Sequence, residues 1–157
     1  WWFEHGASRV VIGTAAIEDR HFLHELCNQY PGQVVVSIDA RQNKVMCHGW
    51  TEETIYTPLE IAVDLQERGV AAIIYTDIDL DDDHPEATFA MTTKMVDVLH
   101  IPVISSGAVK TLDDISTLRM LPNIAGVVVG RALMNGAVSL VDALAVCRQP
   151  DSHAEFL

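Results

Sequence analysis

The chain is poor in basic residues and in cysteine, and it contains no long apolar run. Its 157 residues include 10 Lys and Arg against 22 Asp and Glu, which gives a net charge of −12. This balance argues against binding to nucleic acid or to an anionic membrane surface through bulk electrostatics. The three cysteines, Cys27, Cys47 and Cys147, fit neither a zinc site nor a disulfide framework, as is typical of a reducing cytosol. No stretch approaches the roughly 20 apolar residues of a membrane helix, so we expect a cytoplasmic globular protein.

The chain also lacks an initiator methionine and the basic segment that opens a signal peptide. It begins with Trp1-Trp2-Phe3, which is typical of the end of an amphipathic helix that stops at Gly6. We therefore expect a fragment of a longer protein. The length predicts one domain, over residues 1–149, followed by a polar tail over residues 150–157.

Five short apolar runs recur along the chain, and each ends in small or polar residues. They cover residues 10–14, 34–39, 72–77, 102–107 and 126–130. Runs rich in Val and Ile predict strands buried on both faces of a parallel sheet. Segments of helical periodicity separate them, so the pattern predicts an α/β fold, either a (β/α) barrel or a doubly wound sheet. Both folds bind ligands at the carboxyl ends of their strands.

Two turns of small residues at those strand ends predict a phosphate site. Ser106-Gly107 follows one strand, and Gly130-Arg131 follows the next. Small residues let the backbone approach an anion closely, and this pair of loops is the usual phosphate position in barrels. The alternative is that small residues simply permit tight turns. A further turn, Gly13-Thr14, could hold a second phosphate.

Asp39 ends an otherwise apolar strand, and Thr76 ends the next predicted strand. A carboxylate buried without a partner costs several kcal/mol, so Asp39 should lie in an accessible mouth or accept hydrogen bonds. A carboxylate at the mouth of a barrel is suited to general acid or base catalysis. The alternative is a helix cap or a structural ion pair.

An acidic loop over residues 79–86 raises the alternative of a calcium site, because Asp77, Asp79 and Asp81 alternate. An EF-hand loop would need Gly where Asp82 stands and Glu where Thr88 stands. We therefore predict a solvated loop and no metal ligands.

Six motifs, in this order, resemble the HisA family, the phosphoribosylformimino-AICAR ribotide (ProFAR) isomerases of histidine biosynthesis. They are Val11-Ile12-Gly13-Thr14-Ala15-Ala16, Ser37-Ile38-Asp39-Ala40, Gly49-Trp50, Tyr75-Thr76-Asp77-Ile78, Ile104-Ser105-Ser106-Gly107 and Val129-Gly130-Arg131-Ala132-Leu133. The resemblance implies an eight-stranded (β/α) TIM barrel of which this chain supplies strands four to eight. It also implies an Amadori rearrangement of the aminoaldose ProFAR, a bisphosphorylated ribotide, to the aminoketose PRFAR without a cofactor.

The resemblance also implies roles for particular residues. Asp39 is expected to be the general acid, with Thr76 beside it. Trp50 is expected on a loop that closes over the substrate, and Asp81 matches the family's Asp-Gly-Thr motif. Phosphate binding is expected at the following residues: Ser106, Gly107, Gly130 and Arg131. The family's base is an Asp on strand one, outside these 157 residues, so we expect little or no activity from this chain alone.

Two alternatives stay open. The first is a bisubstrate isomerase that also acts on phosphoribosylanthranilate. The second is a non-catalytic half-barrel module, because an incomplete barrel has two open sheet edges that pair readily with other chains. Such edges would allow self-association or complementation by an N-terminal half.

Overall fold

The computed structural model describes residues 1–78 and 85–148, and for residues 85–88 it describes the backbone alone. The predicted tail over residues 150–157 lies outside the described residues. The strands are β1 (Val10–Ile12), β2 (Val34–Arg41), β3 (Lys44–Cys47), β4 (Glu52–Glu53), β5 (Ala72–Asp77), β6 (Val103–Ser106) and β7 (Ile124–Val128). The helices are α1 (Thr14–Glu18), α2 (Arg20–Gln29), α3 (Pro58–Glu67), α4 (Pro85–Val98), α5 (Leu112–Arg119), α6 (Arg131–Met134) and α7 (Leu140–Arg148).

Five strands are parallel and neighbour one another in chain order, β1-β2-β5-β6-β7. This confirms the predicted α/β fold and its five strands. The sheet is nevertheless mixed rather than purely parallel, because β3 returns antiparallel to β2 and pairs with β4. Gln42 and Asn43 make this reversal possible, with φ values of 46° and 61° in the left-handed region.

Side chains at the helix starts fix where three of the long helices begin. Asp19 accepts a hydrogen bond from the Phe22 N–H at 2.8 Å and opens α2. Thr57 precedes Pro58 and forms a capping box at the start of α3. Thr111 forms a second capping box at the start of α5. Each cap satisfies backbone N–H groups that the helix itself leaves without partners.

The core lies between one face of the sheet and the helices. Alternate residues of β2, from Val34 to Ala40, are buried against α2, α3 and α4. Leu23 and Leu65 are fully buried there, and burial of such side chains stabilises the fold by about 1.5–3 kcal/mol each. A second cluster packs α5 and α7 beneath β7. The other face of the sheet, which we call the site face, carries Ser37 and Asp39 and lies away from this core.

Candidate active site

Three polar side chains stand in one row across neighbouring parallel strands. The strand register pairs Asp39 of β2 with Thr76 of β5, and Thr76 with Ser106 of β6. Val128 of β7 extends the same row. Neighbouring strands lie about 4.8 Å apart, and paired residues of a parallel sheet point to the same face. The row therefore lies on the site face at the carboxyl ends of the strands.

An open cleft of about 760 Å³ lies at this rim. Of the residues predicted from the sequence, the cleft is lined by Trp50, Thr76, Ser106, Gly107, Gly130 and Arg131. The turns after β6 and β7 therefore face the same space as Thr76 and Ser106 of the polar row. This volume is in the range that small-molecule ligands occupy.

The Asp39 carboxylate accepts a hydrogen bond at each oxygen. The Ser37 hydroxyl donates to Oδ1 at 3.0 Å, and the Trp50 indole Nε1–H donates to Oδ2 at 2.7 Å. Asp39 is not among the cleft-lining residues, whereas Trp50 is. Trp50 therefore both lines the cleft and contacts the carboxylate.

The segment that carries Trp50 has an unusual backbone. His48, Gly49 and Trp50 have φ values of 51°, 65° and 71°, so three consecutive residues are left-handed. A non-glycine residue in this region costs about 1–2 kcal/mol relative to its preferred conformations. Contacts outside the segment must therefore hold it.

The turn after β6 places its left-handed residue at Gly107, with φ 83°. A Cβ at that position would be strained, which explains why glycine stands there. Ala108 follows with its methyl group buried in the second core cluster. The turn thus presents its backbone to the cleft and anchors its next side chain below.

Gly13 and Thr14 lie at the end of β1 but do not line the cleft. The Thr14 hydroxyl oxygen accepts a hydrogen bond from the His48 backbone N–H at 2.9 Å. The structure therefore places this turn beside the Trp50 segment rather than beside the other small-residue turns. Asp81 lies outside the described residues.

Two polar side chains line the cleft although the sequence pattern did not single them out. They are Lys110, in the loop after β6, and Asn135, at the end of α6. With Arg131, Lys110 brings a second cation to the cleft of a strongly acidic chain. Its position just before the Thr111 helix cap was the available signal, since loops before such caps lie at the strand-end rim.

Among the described residues, no group of three or more His, Cys, Asp or Glu side chains is arranged to hold a metal ion. Asp79 and Asp81, which suggested calcium, fall outside them. In the same part of the chain, no helix is long and apolar enough to cross a membrane.

Five parallel strands in chain order, with polar side chains and small-residue turns at their carboxyl ends, define an α/β protein. Proteins of this class bind ligands at the carboxyl ends of their strands. The model of the histidine biosynthesis protein family matches residues 1–139. The chain belongs to this family, which confirms the resemblance seen in its motifs.

Curated relatives match across nearly the whole chain. A relative from Syntrophus aciditrophicus is 42% identical over 151 residues, which cover 94% of this chain and 62% of that protein. A relative from Ruegeria sp. (strain TM1040) is 40% identical over 158 residues, which cover 100% of this chain and 64% of that protein. Both are named as phosphoribosyl-(phosphoribosylamino)methylideneamino-imidazole-4-carboxamide isomerases. The chain thus spans less than two thirds of the length of these relatives.

Proposed function

We propose that this chain carries the general acid and one phosphate-binding site of a ProFAR isomerase, which converts the aminoaldose ProFAR to the aminoketose PRFAR. The observation that carries the proposal is the row of Asp39, Thr76 and Ser106, which shares one rim with the Gly107 and Gly130 turns. Family membership and the names of the relatives support the same reaction.

Asp39 is the residue we assign to proton transfer. The rearrangement needs an acid that protonates the ribose ring oxygen, so that the ring opens, and a base that moves the C2 proton. The carboxylate lies near the carboxyl end of β2, beside Thr76 in the neighbouring strand. Oδ2 is occupied by the Trp50 indole N–H. Each carboxylate oxygen can accept a second hydrogen bond, so a substrate oxygen can approach Asp39 beside the indole or in its place.

The cleft beside this row suits one phosphate group of the substrate. The left-handed Gly107 and the turn at Gly130 bring backbone close to the cleft without an intervening side chain. Lys110 and Arg131 line the same space, and their positive charges oppose the repulsion that an acidic chain exerts on an anion. In the row across the strands, Thr76 stands between Asp39 and Ser106, so we place the ribose beside Thr76, between the phosphate and the acid.

Isomerase assays test the proposal. We expect the full-length protein to convert ProFAR, and Asp39→Asn to lower kcat by about 10²–10⁴-fold, the usual contribution of a general acid. The 157 residues alone should turn over little, because the resemblance puts the base on a strand outside them. Wild-type turnover by Asp39→Asn would refute the role of Asp39. The same assay with phosphoribosylanthranilate tests for the second substrate.

We also propose that the two ends of the sheet pair with further strands of a barrel. Among the described strands, β1 pairs only with β2, and β7 only with β6. Both edge strands expose a valine on the site face: Val11 is 57% exposed and Val128 is 45% exposed. Unpaired edges and exposed apolar side chains are costly in water, which supports a partner at both edges.

Light scattering coupled to size-exclusion chromatography tests this second proposal. The chain is mixed with the segment of the Syntrophus relative that lies outside the matched region. We expect a one-to-one complex with that segment, or a dimer of the chain in its absence. A chain that stays monomeric, does not bind the segment and melts cooperatively would contradict the proposal.

A further inference from the structure

We infer that His48 and Glu18 form a tether that holds the Trp50 segment over Asp39. His48 and Glu18 would thus be positioning residues for the proposed site. The inference rests on the proposed function only for the role of Asp39, because the tether itself is a structural claim about Trp50.

The tether joins the segment to helix α1 at two points. The His48 ring Nε2 lies 2.7 Å from Glu18 Oε1, and the His48 backbone N–H donates to the Thr14 hydroxyl at 2.9 Å. Thr14 and Glu18 are the first and last residues of α1. The helix thus holds both the backbone and the side chain of His48.

Trp50, two residues after His48, contacts Asp39 at the rim. Its indole N–H donates to Asp39 Oδ2 at 2.7 Å. His48, Gly49 and Trp50 all have left-handed backbone conformations, and two of these three residues are not glycine. A backbone of this kind relaxes when its anchors are lost. The position of the indole on Asp39 therefore depends on the contacts of His48 with Thr14 and Glu18.

The charges around His48 favour its protonated form. Glu18 on α1 contacts the ring, and Glu52 on β4 lies 3.9 Å from the same nitrogen. The hydrogen bond and the charge of Glu18 raise the pKa of His48 above its ordinary value of 6.5. Cys47 precedes it with a pKa raised by burial, and Arg20 is the nearby cation that acts on that thiol. Negative charge thus dominates the surroundings of the imidazole.

The sign of the pH dependence follows from this shift. A group with a raised pKa in the folded state contributes stability that is fully present below its ordinary pKa. That contribution is lost as pH rises through the raised value. The tether should therefore be tightest in mildly acidic solution and weaken as His48 loses its proton, which makes Trp50 easier to displace at higher pH.

The test is hydrogen exchange of the Trp50 indole N–H, followed by NMR on the isotope-labelled chain and assigned with Trp50→Phe. Glu18→Ala removes the carboxylate from an exposed helix position, where alanine is a good helix former. Glu25→Ala is the matched control, because Glu25 forms a similar exposed pair with His21 on α2. We expect exchange roughly three- to tenfold faster in Glu18→Ala than in Glu25→Ala.

A second readout separates the tether from general destabilisation. In wild type, the Trp50 indole shift should follow the titration of His48, with a midpoint above 6.5. In Glu18→Gln, which keeps an acceptor oxygen but no charge, that midpoint should fall. Equal exchange in Glu18→Ala and Glu25→Ala would overturn the inference. A Trp50 indole chemical shift that does not change as His48 titrates would also overturn it. Neither result would touch the assignment of Asp39, which the isomerase assay tests separately.

Discussion

The capping box at the start of α5 offers a sharp test, because it also fixes the loop that borders the cleft. Asp114 Oδ2 accepts hydrogen bonds from the Lys110 N–H at 2.9 Å, the Thr111 N–H at 2.8 Å and the Thr111 hydroxyl at 3.0 Å. In return, the Asp114 N–H donates to the Thr111 hydroxyl at 3.3 Å. One carboxylate oxygen thus closes the turn between Gly107 and the helix.

Asp114→Ala should lower the free energy of unfolding by about 2 kcal/mol, because a lost cap costs about 0.5–2 kcal/mol and charged hydrogen bonds to two N–H groups are lost with it. For a chain of this size, the melting temperature should fall by about 4–8 °C. Asp113→Ala is the matched control in the same helical turn. Its exposed carboxylate contributes through the helix dipole, so we expect a loss of about 0.5 kcal/mol.

Urea unfolding followed by circular dichroism measures both variants, and Asp114→Asn should fall between Asp114→Ala and wild type because it keeps an acceptor oxygen. Equal stability of Asp114→Ala and Asp113→Ala would refute the reasoning. Binding of inorganic phosphate to the full-length protein provides a second readout. Phosphate affinity should fall in Asp114→Ala, because this variant loses the hydrogen bond that fixes the loop carrying Lys110. The affinity should stay unchanged in Asp113→Ala.

Three further predictions concern stability. Leu23→Ala should cost about 3 kcal/mol in urea unfolding because Leu23 is fully buried, whereas Val141→Ala, at a position 76% exposed, should cost under about 0.5 kcal/mol. Asp64→Asn should lose about 0.5–1 kcal/mol at neutral pH, since the hydrogen bond from Arg68 lowers the pKa of Asp64 below 3.8. That advantage of wild type is fully present above the ordinary pKa of 3.8 and should be lost as pH falls through the lowered pKa of Asp64. Gly107→Ala should lower the melting temperature by about 2–8 °C, because φ 83° costs a side chain about 1–2 kcal/mol; an unchanged melting temperature would contradict the turn geometry.

Features that depend on local sequence were predictable. The Thr57 and Thr111 caps are hydrogen bonds between groups no more than three residues apart, so they depend on local sequence alone. The parallel strands follow from continuous apolar runs. The common rim of Asp39, Thr76 and Ser106 then follows from topology, because carboxyl ends of parallel strands lie at one edge.

Features that depend on loop backbone or on distant contacts were not predictable. No pattern in the sequence indicates the hydrogen bond between Trp50 and Asp39, because this bond depends on three consecutive left-handed residues. The hydrogen bond from the His48 N–H to the Thr14 hydroxyl was not predictable either, because it joins residues 34 positions apart. The antiparallel β3 and β4 also join the sheet only through such a turn.

The most direct measurement is the rate of ProFAR isomerisation by the full-length protein, compared between wild type and Asp39→Asn. We predict that Asp39→Asn folds normally, keeps its affinity for inorganic phosphate and loses about 10²–10⁴-fold in kcat. A variant that isomerises ProFAR within about twofold of wild type would show that the Asp39 carboxylate is not the proton donor, since a general acid contributes at least about 10²-fold.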